Sequence, residues 1–452
     1  MKKSLIATFA ALLFVLVPVS AQTFQEGFFL DGYTLGFRYN PAISNESGFI
    51  GGVQYSNQSR NNFGAASFLY PTEDGGLVTA FHKSIPAQTF LNSLPDDNYV
   101  NGAIDFSIFS YGWRRGENYH TVEASVKGIY DVTVPKEIFQ IAKLGTKEHV
   151  YDLSGFGMGF MAYAELAYGY SRQLSDIVSV GARAKLLVGL EALRYEIDRF
   201  DMSFSEDQYT ASVGARLDFT NRMGKFKTDE EGYMSLLSLN AKDKLHWPSG
   251  GGLAVDLGVV VTPVEGLTIS ASALNLGAMI WYYGNAGQSS GAVTFSGFDD
   301  LTLDVIKSGK ITQELKPLGD EFLSAMQMWN VKKRVCLETV PFTLTAAVKY
   351  AMPFYNALSI GVTGDFVHWA GGMSYKEFRG CLAWNLCRKL GITGNIGAGD
   401  YGMVWGAALT VGIHKFHLNA GMESGFGGTI PYRSTPLKPN NKCLTVGLTY
   451  DL

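Results

Sequence analysis

The chain alternates. Across residues 121–132, Val122, Ala124, Val126, Gly128, Tyr130 and Val132 fall on one side, and Thr121, Glu123, Ser125, Lys127 and Asp131 fall on the other. A period of two sustained this long marks a strand with one apolar and one polar face. Residues 158–171 repeat the scheme, with Met158, Phe160, Ala162, Ala164, Leu166, Tyr168 and Tyr170 opposite Tyr163, Glu165, Gly169 and Ser171. After a short turn at 172–176, Val178, Val180, Ala182, Ala184, Leu186, Val188 and Leu190 oppose Ser179, Gly181, Arg183, Lys185 and Gly189. Residues 209–219 set Tyr209, Ala211, Val213, Ala215, Leu217 and Phe219 outward and Thr210, Ser212, Gly214, Arg216 and Asp218 inward. Further paired runs flank turns at 263–266, 352–356, 387–390 and 413–415. The chain ends on Leu444, Val446, Leu448, Tyr450 and Leu452 opposite Thr445, Gly447, Thr449 and Asp451, the pattern of a closing strand.

Strands of about ten residues, with short turns alternating with long polar connections, are the signature of a membrane barrel. The long connections are 220–250 and 278–340. The expected fold is therefore all-β: a transmembrane antiparallel β-barrel of about 14 to 16 strands, counted from residue 75. Residues 22–74 are less regular and read as an N-terminal plug-like segment or a first hairpin. Two stretches inside the connections have helical periodicity, 135–144 and 318–329, and predict short amphipathic helices in extracellular loops. A soluble sandwich also alternates, but it does not require the consistently apolar face or the alternation of short and long connections.

Lys2 and Lys3, an apolar run over 5–17, and then Val19, Ser20 and Ala21 read as a secretory signal peptide with its cleavage site. The expected organisation is signal peptide 1–21, plug-like segment or hairpin 22–74 and barrel 75–452. Export through the periplasm to the outer membrane, with its lipid as the surrounding partner, follows. No Cys follows the apolar run, which argues against a lipid anchor.

Composition agrees. Glycine accounts for 52 of 452 residues and charged residues for only 17%, against about 25% charged in soluble domains. The formal net charge is −4, the opposite of a nucleic-acid binder's basic balance. No run after the signal peptide approaches the roughly 18 apolar residues of a spanning helix.

The polar phase of the strands carries Glu123, Lys127, Glu165, Arg183, Lys185, Arg216, Asp218, Asp256, Lys349, Asp365, Glu377 and Arg379. Alternation places these charges in the lumen, away from lipid. Both signs are present in similar number. That predicts a network of ion pairs filling the lumen rather than a general anion or cation pore, which would show one dominant sign. Aromatic side chains at strand ends suit interfacial girdles, and Trp281, Tyr282 and Tyr283, at the start of the longest connection, are the best candidates for a ligand mouth. Catalytic signals are weak. The seven histidines form no HExxH pattern, and Gly287, Gln288, Ser289, Ser290 and Gly291 match GxSxG without the strand-to-helix turn a nucleophile elbow needs. His414 and His417 flank a predicted turn and read as solvated. Asp299, Asp300 and Asp304 have oxygen ligands of the kind calcium takes, but read as a solvated acidic patch. Cys336, Cys381, Cys387 and Cys443 match no zinc spacing; export permits two disulfides, and their pairing cannot be read from sequence. No catalytic residue, metal or cofactor is expected.

Asn40, Pro41 and Ala42, following Gly32 to Tyr39, resemble the start of the long-chain fatty acid transporter superfamily of outer-membrane barrels. The run from Gly252 to Gly258, with Pro263 and then Leu267 to Gly277, resembles a hairpin shared with that group and with PorV-type secretion barrels. Over most of its length the chain is similar to a Bacteroidota family of outer-membrane barrels catalogued as a domain of unknown function. The resemblance to the transporters implies that Asn40, Pro41 and Ala42 belong to a plug in a 14-stranded barrel that passes a small hydrophobic molecule. The PorV resemblance implies instead a non-transporting scaffold that binds a protein partner through extracellular loops. An outer-membrane hydrolase is the third and weakest expectation. The insertion 278–340 and the four cysteines depart from the transporter pattern.

Overall fold

The computed structural model describes residues 25–72, 76–144, 154–204, 209–220, 225–228, 230, 233–240, 248–294, 328–331, 334–369, 374–425, 429–430, 435–436 and 440–452. The signal peptide, Asp299, Asp300, Asp304, His149, His246 and most of the second expected helix lie outside these residues.

Fourteen antiparallel strands form the wall. They are β1 (Phe49–Asn61), β2 (Asp97–Arg115), β3 (Asn118–Pro135), β4 (Gly157–Ser175), β5 (Val178–Phe204), β6 (Gly250–Val264) and β7 (Leu267–Thr294). The second half comprises β8 (Phe342–Met352), β9 (Tyr355–His368), β10 (Tyr375–Cys387), β11 (Leu390–Gly399), β12 (Gly402–Ile413), β13 (Phe416–Gly425) and β14 (Asn440–Asp451). Each strand pairs with the next, and β1 also pairs with β14, so the barrel is closed. Closure is what lipid demands, because an open sheet edge in hydrocarbon would leave amides and carbonyls with nothing to bond.

Two-residue turns at 116–117, 176–177, 265–266, 353–354, 388–389 and 414–415 gather at one end. Gly116, Gly266 and His414 take the left-handed conformation that such tight reversals use. The long connections gather at the other end. Outward-pointing Leu253, Ile280, Leu337, Val362, Leu382 and Ile396 are exposed and form the lipid-facing belt. Among the described residues no helix is long and apolar enough to cross a membrane.

Strands β5 and β7 are 27 and 28 residues long, whereas about 9–11 residues span a bilayer. Residues 178–189 of β5 and 267–281 of β7 grip β6. Their far halves, 193–204 and 283–294, grip a further strand, Tyr209–Thr220, so β6 and this strand occupy one slot end to end. Arg334–Thr339 continues β8 in the same register against β7, as the pairs Ala278↔Thr339 and Leu274↔Thr343 show. The ladder between them breaks at Val340 and Pro341, where proline has no N–H to give.

Several expectations change. The wall begins at Phe49, not at residue 75, so residues 22–74 divide into an interior segment and a wall strand. The 278–340 connection is strand through Thr294 and again at Met328–Val331 and Arg334–Thr339. Strands Lys225–Thr228 and Tyr233–Asn240 lie within the 220–250 connection. The helix expected at 135–144 is present as Lys136–Leu144, whereas Met328 and Trp329 are in a strand. Ala215, Leu217 and Phe219, expected on the lipid face, are buried. The reason is position: their strand stands beyond the belt, where Phe90, Phe139, Phe156, Tyr195 and Ile197 pack against Ala215 and Leu217.

Leu382 lies near the middle of β10, is exposed to the belt and pairs laterally with Ile360. Leu382→Arg should destabilise the barrel by about 2–4 kcal/mol, the depth-dependent cost of charge on a lipid face, read from the denaturant midpoint for refolding in vesicles. An unchanged midpoint would contradict the assigned belt.

Candidate functional site

Residues 25–45 lie inside the wall. The segment is a chain of tight turns: 3-10 helices at Gln25–Phe29 and Gly36–Arg38, with Tyr33 N–H donating to Leu30 O at 3.1 Å and Ile43 N–H to Asn40 O at 3.0 Å. Short turns let it turn every few residues and present side chains in all directions. Phe28, Phe29 and Tyr39 pack on Ala347, Cys381 and Ala383, while Leu30, Tyr33, Leu35 and Phe37 pack with Phe49, Tyr119 and Ala408. Each such large apolar side chain contributes about 1.5–3 kcal/mol on burial.

At Asn40 both ends of the amide are used. Oδ1 accepts the Ala42 N–H at 2.8 Å, an Asx turn that shapes the backbone around Pro41. Nδ2 points at Val259 O (3.0 Å), Ser270 Oγ (2.8 Å) and Ala271 O (3.0 Å), tying the segment to β6 and β7. The opposing wall is made of glycine. Gly181 and Gly258 face each other across the β5–β6 ladder. A Cβ on Gly258 would lie 1.9 Å from Asn40 Oδ1, and one on Gly181 would lie 2.2 Å from Pro41 O. The seat for Asn40, Pro41 and Ala42 is thus two missing side chains.

Further bonds reach around the barrel. Tyr39 Oη and Thr363 Oγ1 are 2.9 Å apart, Asn45 Nδ2 donates to Tyr119 Oη at 3.0 Å, and Asn385 Nδ2 donates to Phe29 O at 2.9 Å. Asp31 pairs with Lys349, one of the expected lumen charges.

The remaining lumen charges form a network into which the segment inserts one member. Arg38 binds Asp105 at 2.7 Å and Glu123 at 3.0 Å. Glu123 also receives Arg183 at 2.6 Å, and Asp256 receives Arg183 at 3.3 Å and Lys185 at 2.8 Å. Lys127 pairs with Glu165 at 3.1 Å and Asp105 at 3.6 Å, and Lys185 reaches Glu165 at 3.6 Å. Four cations, Arg38, Lys127, Arg183 and Lys185, thus meet four carboxylates, Asp105, Glu123, Glu165 and Asp256. Without Arg38 the wall alone would hold three against four. Burial by itself would loosen the Arg38 proton, but Asp105 and Glu123 raise its pKa above the ordinary value, so the charge stays. Burial also pushes the Tyr33 hydroxyl up to about 12, which keeps it protonated. Beside Arg38 a space of about 40 Å³ remains between segment and wall.

Inner-face residues of β4 and β5 order what lies along the axis. Gly159 and Arg194 border a cavity, Met161 and Tyr163 with Leu187 join an apolar layer, Glu165 with Lys185 and Arg183 join the ion network, and Gly181 forms the seat. The apolar layer also holds Met279, Trp281, Tyr283 and Trp369. The cavity has a volume near 470 Å³ and is lined by Phe156, Met158, Tyr195 and Ile197 together with Arg194 and Glu196. That is within the range of small-molecule pockets. Arg194 Nε bonds Glu196 at 2.6 Å, and Tyr283 Oη donates to Glu338 at 2.8 Å, within 3.8 Å of which lies Arg194 Nη1.

Asn40, Pro41, Ala42, Glu123, Lys127, Glu165, Arg183, Lys185 and Asp256 converge at the seat and network. Asp365 lies farther round, beside Arg379. Arg216 and Asp218 are elsewhere: Asp218 pairs with Arg216 at 3.1 Å and Arg334 at 2.9 Å on the far halves of the long strands. Trp281 and Tyr283 are buried in the layer rather than at a loop mouth, because β7 runs on through them, and only Tyr282 is exposed. Ser289, within the GxSxG match, is buried in β7 opposite Ala215 and Met328, with no strand-to-helix turn around it. His417, expected to be solvated, is buried and 2.9 Å from Asp451. No disulfide joins the four cysteines, and among the described residues no group of His, Cys, Asp and Glu has metal-ligand geometry. Sequence reasoning missed Arg38, Asp105, Gly181 and Gly258. A glycine in the polar phase of a strand otherwise rich in charge was the available signal for the last two.

Fold and site together define a closed membrane β-barrel whose interior is occupied by its own N-terminal residues. Residues 41–423 match the Family of unknown function (DUF5723), and the chain belongs to that family. No curated protein matches it. Among solved structures it is similar to the P. putida toluene transporter TodX (8% identity, TM-score 0.45, covering 93% of this chain and 94% of that one). It is also similar to the Ralstonia pickettii toluene transporter TbuX (8%, TM-score 0.47, 93% and 94%) and to a Pseudomonas aeruginosa FadL homologue (9%, TM-score 0.43, 94% and 93%).

Gly258→Val should push Asn40 from its seat and break its bonds to β6 and β7, whereas Val260→Ala, on the same strand, should leave the seat intact. The expected loss is about 1–3 kcal/mol, the cost of orphaned buried polar groups, with faster protease cleavage within 25–45 while the barrel stays folded. Equal cleavage in both variants would refute the seat.

Proposed function

We propose that this protein is an outer-membrane transporter for a small hydrophobic molecule, with residues 25–45 acting as a displaceable plug. The observation that carries the reading is a segment inside the lumen that is tethered through β1, otherwise held by non-covalent contacts and seated on two glycines, next to a 470 Å³ cavity. A barrel that only needed filling could use large wall side chains; here glycine makes room for a separate piece of chain. The solute would occupy the cavity, rest on the apolar layer around Trp281 and Tyr283, and pass when the segment shifts. The mixed-sign network argues against an open general porin. No nucleic acid, metal, cofactor or catalytic step enters this reading.

A second reading is a scaffold of PorV type. It is favoured by the far halves of β5 and β7, which carry Tyr209–Thr220 beyond the belt.

Uptake into liposomes separates the two. The chain lacking residues 24–45 should admit small apolar solutes several-fold faster than the intact chain, and Arg38→Ala should show a smaller increase because it removes one of four cations from a buried network. If neither intact nor shortened chain passes an apolar solute, transport is excluded, and a stable co-purifying partner would then favour the scaffold.

A further inference from the structure

The 470 Å³ cavity has a floor of glycine. Asp131, Gly159 and Arg194 lie side by side on β3, β4 and β5, and Thr133, Gly157 and Glu196 do so in the next lumen-facing row. The middle strand thus gives no side chain to either row. A Cβ on Gly157 would meet nothing closer than Tyr195 O at 3.8 Å, so nothing else fills the gap above it. With neighbouring strands about 4.8 Å apart, β3 and β5 stand about 10 Å apart across this floor. A flat ring or an alkyl chain needs about 7–8 Å of that, two van der Waals contacts of about 3.5–4 Å. The cavity is therefore a slot shaped for a flat or narrow apolar body.

The charges around the slot are unequal. Its lining contains three carboxylates, Asp131, Glu196 and Asp198, and one guanidinium, Arg194. Arg194 is engaged by Glu196 at 2.6 Å and lies 3.8 Å from Glu338, a carboxylate outside the lining. The lining is negative even when Asp131 is left out of the sum. The same cavity presents Met158 and the rings of Phe156 and Tyr195, which meet edge-on with centroids 5.8 Å apart. Aromatic rings and carboxylates together attract an organic ammonium, the rings through their quadrupole and the carboxylates through charge. A carboxylate solute is repelled by this lining, and a plain hydrocarbon takes water from Glu196 and Asp198 while returning no hydrogen bond.

We propose that this slot selects solutes that join an apolar body to a cationic amino group, with Glu196 and Asp198 as the selecting residues. The inference rests on the cavity being where a transported solute is held. The apolar body lies over Gly157 against Phe156, Met158 and Tyr195, and the ammonium, which has only donors, gives its hydrogen bonds to the carboxylates.

The test is calorimetric titration of the folded full chain at neutral pH with three probes of closely similar size: 2-phenylethylammonium, 2-phenylethanol and phenylacetate. The ammonium should bind about tenfold more tightly than the alcohol, about 1.4 kcal/mol, and phenylacetate should bind more weakly than both. The advantage should shrink as salt is raised, because Asp198 is exposed and Glu196 partly so. Asp198→Asn should reduce the advantage several-fold. Glu196→Gln should leave Arg194 with more of its charge unmatched and turn the preference toward phenylacetate. Gly157→Val should weaken all three probes, because its side chain occupies the floor. No binding of the ammonium, alcohol binding as tight as ammonium binding, an advantage untouched by Asp198→Asn, or native-like affinities in Gly157→Val would each overturn the proposal. Uptake of the same probes into vesicles reports on transport separately. If the ammonium binds selectively but enters no faster than into empty vesicles, the transport reading fails and the slot stands; uptake with no ammonium preference in binding removes the slot's selectivity and keeps transport.

Discussion

In hydrocarbon an unpaired backbone amide has no water to turn to, and that single cost forces the sheet to close. Closing fourteen strands creates an interior wider than wall side chains can fill. Everything distinctive about this chain answers that space. Phe28, Phe29, Leu35 and Phe37 fill it with apolar volume. Asn40 fixes the filling in place, and Arg38 supplies the charge that the wall lacks. The wall answers in kind with glycines where the segment needs room and carboxylates where it brings a cation. Neither part makes sense as an isolated construction.

A network of buried ion pairs does not by itself make the barrel stable, because desolvation offsets much of what the pairs gain. What it does supply is specificity of position. Asp105 and Glu123 keep Lys127 and Arg183 when Arg38 leaves but lose its guanidinium, so a segment displaced by one residue would leave this buried cluster one cation short.

The wall was legible in the sequence because alternation reports which face meets lipid, and a two-residue slip-free period over β3 and β4 leaves little freedom. The lumen residues Glu123, Lys127, Glu165, Arg183, Lys185 and Asp256 followed from phase alone. Phase failed where a bulge resets it. Leu190 is an extra residue against β4, between the pairs Tyr163↔Gly189 and Ala162↔Glu191, so the inward set of β5 changes from Arg183, Lys185 and Leu187 to Ala192 and Arg194. No composition rule marks that position. Trp281 and Tyr283 were misplaced for a related reason: polar and small residues after Leu276 resemble a loop, although pairing with Arg334–Thr339 keeps them in a strand. The segment's contacts were invisible because they join residues far apart in the chain, with 67 positions between Arg38 and Asp105 and 231 between Asn40 and Ala271. Its motif could be seen, but the glycines that receive it acquire their meaning only where the fold brings the two together.

The end-to-end arrangement between β5 and β7 carries a consequence for the order of assembly. Tyr209–Thr220 can form its ladder with β5 early, as a local hairpin, but its second ladder, with β7, requires β7 to have been delivered alongside. That happens only after β6 has paired with both, because β6 holds β5 and β7 one strand apart at the level of the membrane. The storey beyond the belt therefore exists as a finished surface only on a barrel whose membrane-level wall is already in place on that side. Anything that recognises this surface is, in effect, inspecting whether the wall beneath it was completed.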